Sequence, residues 1–152
     1  MTPCAILGVD PGVKGGMALL RPDGSVAHTW VFRPGDEESE VVGVVVQAAT
    51  LLKQYGGACF FEKVQHMTGD GAQGSHTFGF IKGLLRGALL ACDVRPHYVP
   101  PQLWQAKLEC MTGGDKNVSK RRAAELFPGV KVTHGSADAL LIAMYGRLMV
   151  AS

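Results

Sequence analysis

The chain has 152 residues, of which 47 % are apolar and 18 % charged, with a formal net charge of +2. That length accommodates one sizeable hydrophobic core, residues 1–152 forming a single domain, and the composition lies outside the disordered and low-complexity classes. No run of about 18 uninterrupted apolar residues suggests a membrane span, and no basic segment leading into an apolar run suggests export.

Charge is unevenly placed. Residues 1–80 carry five Lys or Arg against eight Asp or Glu, whereas residues 81–152 carry ten against five. An acidic centre beside a basic surface suits a polyanion gripped by Lys and Arg, although ordinary solvated faces would look the same on charge alone. Cys4, Cys59, Cys92 and Cys110 show no CxxC spacing and mostly lie inside apolar runs. They read as small buried hydrophobes in a reducing compartment, not as a disulfide framework or a zinc site.

In chain order, apolar β-prone runs at 4–9, 16–20 and 26–32 are separated by the turn sequences DPG and PDG, which predicts a three-stranded antiparallel meander. Val41, Val44, Val45, Ala48, Leu51 and Leu52 recur at helical spacing over 38–55, and Gly56-Gly57 ends the run. ACFFE, at 58–62, reads as a fully buried fourth strand. A glycine-rich loop over 65–74 leads into a helix over 75–91, with Phe78, Ile81, Leu85, Ala88, Leu89 and Cys92 on one face.

Gly79, Gly83 and Gly87 repeat every fourth residue of that helix, each less favourable than alanine by roughly 1 kcal/mol. Such a ridge implies close approach by a neighbouring helix or by a second subunit. A fifth strand over 95–99 is stopped by Pro100-Pro101, and helices follow over 102–110, 117–127 and 135–149. A meander feeding two helical crossovers to parallel strands gives an α/β fold, a five-stranded mixed sheet with helices on both faces.

Three acids end otherwise apolar elements: Asp10 the first strand, Glu62 the fourth, and Asp138 the first turns of the last helix. If the fourth strand lies parallel beside the first, Asp10 and Glu62 emerge at the same carboxyl edge. Taken singly, each has a plainer explanation: turn chemistry for Asp10, a surface strand end for Glu62, complement to the helix dipole for Asp138. Together they suggest compensated buried charge, because unpaired buried carboxylates are expensive. Clustered carboxylates suit magnesium, and two such ions about 4 Å apart activate water and stabilise the leaving oxygen in phosphodiester hydrolysis. His134 precedes Asp138 by four residues and shares its face if the helix begins that early; it would position the attacking water or touch the phosphate, or else be structural.

GVDPGVKGGMALL, FFEKV, the glycine-rich loop opening a helix with Phe78, VPPQLWQAKL, DKNVSKRRAAELFP and HGSADALLIAMYG occur in order across nearly the whole chain. This set resembles the RuvC family of Holliday-junction resolvases, especially the compact forms of phages and organelles. The resemblance implies a ribonuclease-H-like fold, a homodimer, and magnesium-dependent cutting of four-way DNA junctions by paired symmetric nicks, with manganese able to substitute. It carries the catalytic and metal-binding carboxylates onto Asp10, Glu62 and Asp138, and implies a location in the bacterial or phage-infected cytoplasm or an organelle matrix.

One departure stands out. The family supplies a fourth acid or histidine just before the last acid, often as Asp-His-Gly in compact members, whereas this chain reads Thr133-His134-Gly135. Either His134 carries the catalytic role or one metal binds weakly without substrate. In the same setting Lys116, Lys120, Arg121 and Arg122 neutralise phosphates around one helix start, or partly form a solvated face. Lys107 reaches DNA near the metals, Lys82 adds a further contact, and His66, Met67 and Phe78 belong to the region that meets the junction crossover. Trp104 is assigned to the core, and the glycine ridge of 75–91 to the dimer contact.

Three other readings compete. Asp10, Gly12 and Gly15 also form the D-x-G-x-x-G phosphate loop of actin-like kinases, but those need two lobes. A ribonuclease-H-type nuclease on hybrids or branched DNA would use the same metal chemistry, and a non-catalytic junction-binding module would bind without cutting.

Overall fold

The computed structural model describes residues 2–64 and 71–152. β1 (Ala5–Asp10), β2 (Gly16–Leu20) and β3 (Val26–Val31) form the antiparallel meander. After α1 (Glu38–Tyr55) the chain returns as β4 (Gly57–Glu62), parallel to β1, and after α2 (Ala72–Ala91) as β5 (His97–Val99), parallel to β4. The strand order is β3-β2-β1-β4-β5, followed in sequence by α3 (Pro101–Lys107), α4 (Lys116–Leu126) and α5 (His134–Ala151). The expected α/β fold is therefore present. None of the described helices is long and apolar enough to cross a membrane.

Strand β1 is central and covered on both faces, which is why its six residues are all buried and its sequence does not alternate. The pleat still sorts them. Ala5, Leu7 and Val9 face a layer containing Val45 and Leu52 of α1 and Leu85 and Leu89 of α2. Ile6 faces the opposite layer, with Leu140 and Ile142 of α5 and Trp104 of α3.

Helix α1 forms despite its valines because Val41, Val45, Ala48, Ala49 and Leu52 make a buried stripe, so packing outweighs their modest propensity. Helix α5 is apolar around most of its circumference, consistent with its position between the sheet and α4. Its approach to the sheet depends on Gly8: a Cβ there would meet the Ala139 carbonyl oxygen and lie 2.6 Å from the Ala143 nitrogen. Gly8 thus brings the first turns of α5 against the middle of β1.

Several boundaries differ from those expected. Helix α2 begins at Ala72, so part of the glycine-rich segment is helical, although only Leu85, Ala88 and Leu89 along it are buried. Phe78 and Ile81 are half-buried, and Phe78 lies outside the core layer that Ile81 joins. Strand β5 starts at His97 instead of residue 95, because Pro96 has no N–H to give to the ladder. The glycine ridge is resolved in one respect: apart from the backbone of α2 itself, no described atom lies within 4 Å of a Cβ built at Gly79, Gly83 or Gly87. Within the described chain, no neighbouring helix fills that ridge.

Candidate active site

Parallel pairing of β1 with β4 sets Val9 beside Phe61, so the next residue of each strand, Asp10 and Glu62, leaves the sheet at the same edge. Pleat alternation turns both away from the layer of Val9 and Phe61, toward the side covered by α3 and α5. Both are nearly inaccessible, at 8 % and 7 % exposure. The parallel edge expected from the sequence is therefore real, and the close seating of α5 on Gly8 brings Asp138, one residue before Ala139, to the same edge.

These acids interact. Burial, then the charge of Asp138, raises the Asp10 carboxyl to about 6 against the opposing pull of the Gly12 N–H and Lys116. Burial, then the charge of Asp10, raises Glu62 to about 8, with Asp138 adding to the shift. Two groups relieve Glu62: the Trp104 indole N–H, which donates to Oε2 at 2.8 Å, and the more distant charge of Lys116. Gly12 donates its N–H to Asp10 Oδ1 at 3.2 Å, an Asx turn that fixes the first carboxylate while reversing the chain. Turn chemistry at Asp10 thus coexists with its place at the edge shared with Glu62.

Asp138 has one oxygen, Oδ2, 3.7 Å from Lys116 Nζ, while Oδ1 is buried with no hydrogen-bond partner among the described residues. Lys116 opens α4, where the helix dipole disfavours a cation. Its side chain is 74 % exposed, so the pair holds it only weakly. A cavity of about 170 Å³ runs from Glu62 and Asp138 past Lys116 to Gln105 and Thr112.

Among the described residues, no three His, Cys, Asp or Glu side chains form a group able to hold an ion as they stand. Mutual repulsion keeps uncompensated carboxylates apart, and Asp138 leans on Lys116. The donor set nevertheless fits a hard divalent cation: three carboxylates at one edge, two of them resisting ionisation, and one buried oxygen without a partner.

Thr133, at the position where the family pattern has an acid, is the N-cap of α5. Its Oγ1 accepts from the Ser136 N–H at 3.2 Å, and its own N–H donates to Ser136 Oγ at 3.0 Å. The spacing T-x-x-S was the signal for that cap. Helix α5 does begin at His134, so His134 lies one turn before Asp138, and it is exposed.

The basic residues divide. Lys107 and Arg121 are exposed and Lys120 half-buried. Arg122 donates through Nε to the Leu108 carbonyl at 2.7 Å and pairs with Glu125 at 3.0 Å, contacts that hold its guanidinium beside α4. Lys82 donates to the Val64 carbonyl at 3.3 Å, bracing the chain just after β4. His66 and Met67 lie outside the described residues. Trp104 is a core residue with no exposure, as expected, but its contact with Glu62 was not legible in the sequence.

No family model and no curated protein matches the chain. Solved structures do. Thermus thermophilus RuvC in complex with a Holliday junction substrate aligns at a TM-score of 0.67 and 18 % identity, over 93 % of this chain and 90 % of that one. A second Thermus thermophilus RuvC structure gives 0.65 and 17 %, over 95 % and 96 %. The yeast mitochondrial Holliday junction resolvase Ydc2 gives 0.53 and 13 %, over 97 % and 80 %. The chain therefore has the fold of these resolvases across nearly its whole length.

Proposed function

We propose that this protein is a structure-selective endonuclease that resolves four-way DNA junctions by magnesium-dependent phosphodiester hydrolysis, acting as a homodimer. The observation that carries the reading is the buried Asp138 Oδ1, without a partner among the described residues, beside two carboxylates that resist ionisation. A fold shared with a junction-bound RuvC supports the choice of substrate.

Asp10, Glu62 and Asp138 would hold the cation, which when bound would activate water and neutralise charge on the leaving oxygen. Asp10 enters this arrangement already oriented by the Gly12 N–H. Lys116, only loosely held by Asp138, turns to a DNA phosphate once Asp138 is otherwise compensated. His134, exposed one turn before Asp138, is placed to meet the attacking water or the scissile phosphate. Lys107, Lys120 and Arg121 take flanking phosphates, and Phe78 meets the crossover. Two nicks require two sites, and the open glycine ridge of α2, beside exposed Phe80 and Leu90, fits a second copy of the chain.

The test incubates the protein with a four-way junction, a linear duplex and an RNA:DNA hybrid, with magnesium or with chelator. Magnesium-dependent paired nicks in the junction alone are expected, with Asp10→Asn binding the junction but not cutting it. Preferential hybrid cleavage would move the assignment to a ribonuclease-H-type enzyme. Lys116 standing 3.7 Å from Asp138 Oδ2, where a cation would otherwise sit, favours one further reading, a junction-binding module, which predicts tight binding and no cleavage in any metal.

A further inference from the structure

Trp104 is wholly buried, yet its single polar atom points at the candidate active site. The indole N–H donates to Glu62 Oε2 at 2.8 Å, across 42 residues of sequence. A buried indole needs an acceptor, and a backbone carbonyl would ordinarily suffice. Here the acceptor is instead one oxygen of a carboxylate crowded by the charges of Asp10 and Asp138. The bond favours the ionised carboxylate and occupies one of its two oxygens, which also sets the plane of the group.

We infer that Trp104 is a positioning residue for metal binding: its N–H holds Glu62 Oε2 so that the carboxylate presents only Oε1, in one orientation, to a divalent cation. The inference rests on the proposed metal-dependent reading of the site. The packing supports it. Trp104 is fixed on all sides by the layer containing Val99, Leu108 and Leu140, so its N–H cannot follow a rotating carboxylate and instead restrains it. Outer donors of this kind typically change metal affinity about 10- to 100-fold when removed.

The test measures Mn²⁺ binding through the paramagnetic resonance signal of free Mn²⁺ at pH 8.5 or so, with no DNA present. Trp104→Phe removes the donor and leaves a smaller aromatic ring. A benzothienyl-alanine at position 104 replaces N–H by sulfur while keeping the bicyclic shape, and so remains informative if Trp104→Phe does not fold. Both are expected to weaken Mn²⁺ binding at least about tenfold, and the bicyclic isostere should do so with its metal-free melting temperature little changed. Unaltered Mn²⁺ affinity in a folded variant lacking the donor would overturn the inference while leaving the nuclease reading intact. Failure of the unaltered protein to bind Mn²⁺ at all would overturn both.

Discussion

Glycine does opposite things on the two sides of this molecule. On the α5 side, Gly8 is filled by the chain itself, because the backbone of α5 sits where a side chain would be. On the other side, Gly79, Gly83 and Gly87 leave space that no described atom enters, although each weakens the helix that contains it. One region is closed so that a carboxylate on α5 meets two others at the end of the sheet. The other is left open, which is economical only if something outside the chain completes it. The lesson is that a glycine's neighbours, and not its mere presence in an element, tell whether it serves the fold or an encounter.

The largest expected effect comes from filling the closed side. Gly8→Ala drives a methyl into the Ala139 carbonyl, and since helix backbone cannot rotate aside, α5 must move. A loss of about 3 kcal/mol in urea unfolding is expected, together with loss of cleavage as Asp138 shifts from Asp10 and Glu62. A loss well under 1 kcal/mol would show that α5 slides freely on β1, and that its seating does not place Asp138.

A smaller effect separates the two regions by charge. Asp10 and Glu62 bind protons more tightly in the folded chain than when unfolded, because burial and mutual repulsion penalise their charged forms. The folded state therefore holds more protons, and metal-free stability falls as pH rises, from the ordinary carboxylate range through about 6 for Asp10 and about 8 for Glu62. Asp138 and Lys116 face the same groups with opposite sign, Asp138 deepening the loss and Lys116 moderating it. Thermal unfolding across pH 4 to 9 or so should show this decline, flattened in Asp10→Asn and reversed near pH 8 by magnesium. A flat profile in the metal-free protein would mean that the acids are solvated and the edge is not a charge trap.

The two sides also differ in how far they were legible in the sequence. The antiparallel meander and the five-stranded mixed sheet followed from apolar runs, turn residues and the crossover rule, because those signals are local or topological, whereas the shared edge of Asp10 and Glu62 was legible only on the condition that the fourth strand lies beside the first. The start of α2 was placed three residues late, since glycine-rich sequence argues for a loop until packing decides otherwise. The bond from Trp104 to Glu62 joins residues 42 apart, and no periodicity records which atom of a core tryptophan meets which acid. Thr133 drew attention as a missing carboxylate, whereas T-x-x-S already spelled a helix cap. Arg122 was grouped with its basic neighbours by proximity in sequence, and its contacts with Leu108 and Glu125 were not legible there.

The most discriminating substitution fills the open side, because its two consequences have opposite sign. Gly83→Ala adds a methyl that meets no described atom within 4 Å beyond its own helix backbone and removes a helix-weakening residue. Unfolding measured at concentrations where the protein is monomeric should therefore show a gain of about 0.5–1 kcal/mol. If a second copy packs on the ridge, the same methyl separates the two helices, and sedimentation should show the dimer dissociating at higher concentration than before. The paired nicking proposed above would then give way to single nicks, since each subunit would keep its carboxylates but lose its partner. A variant that gained stability as a monomer and dimerised as well as the original would place the subunit contact elsewhere, and the three glycines would lose their explanation.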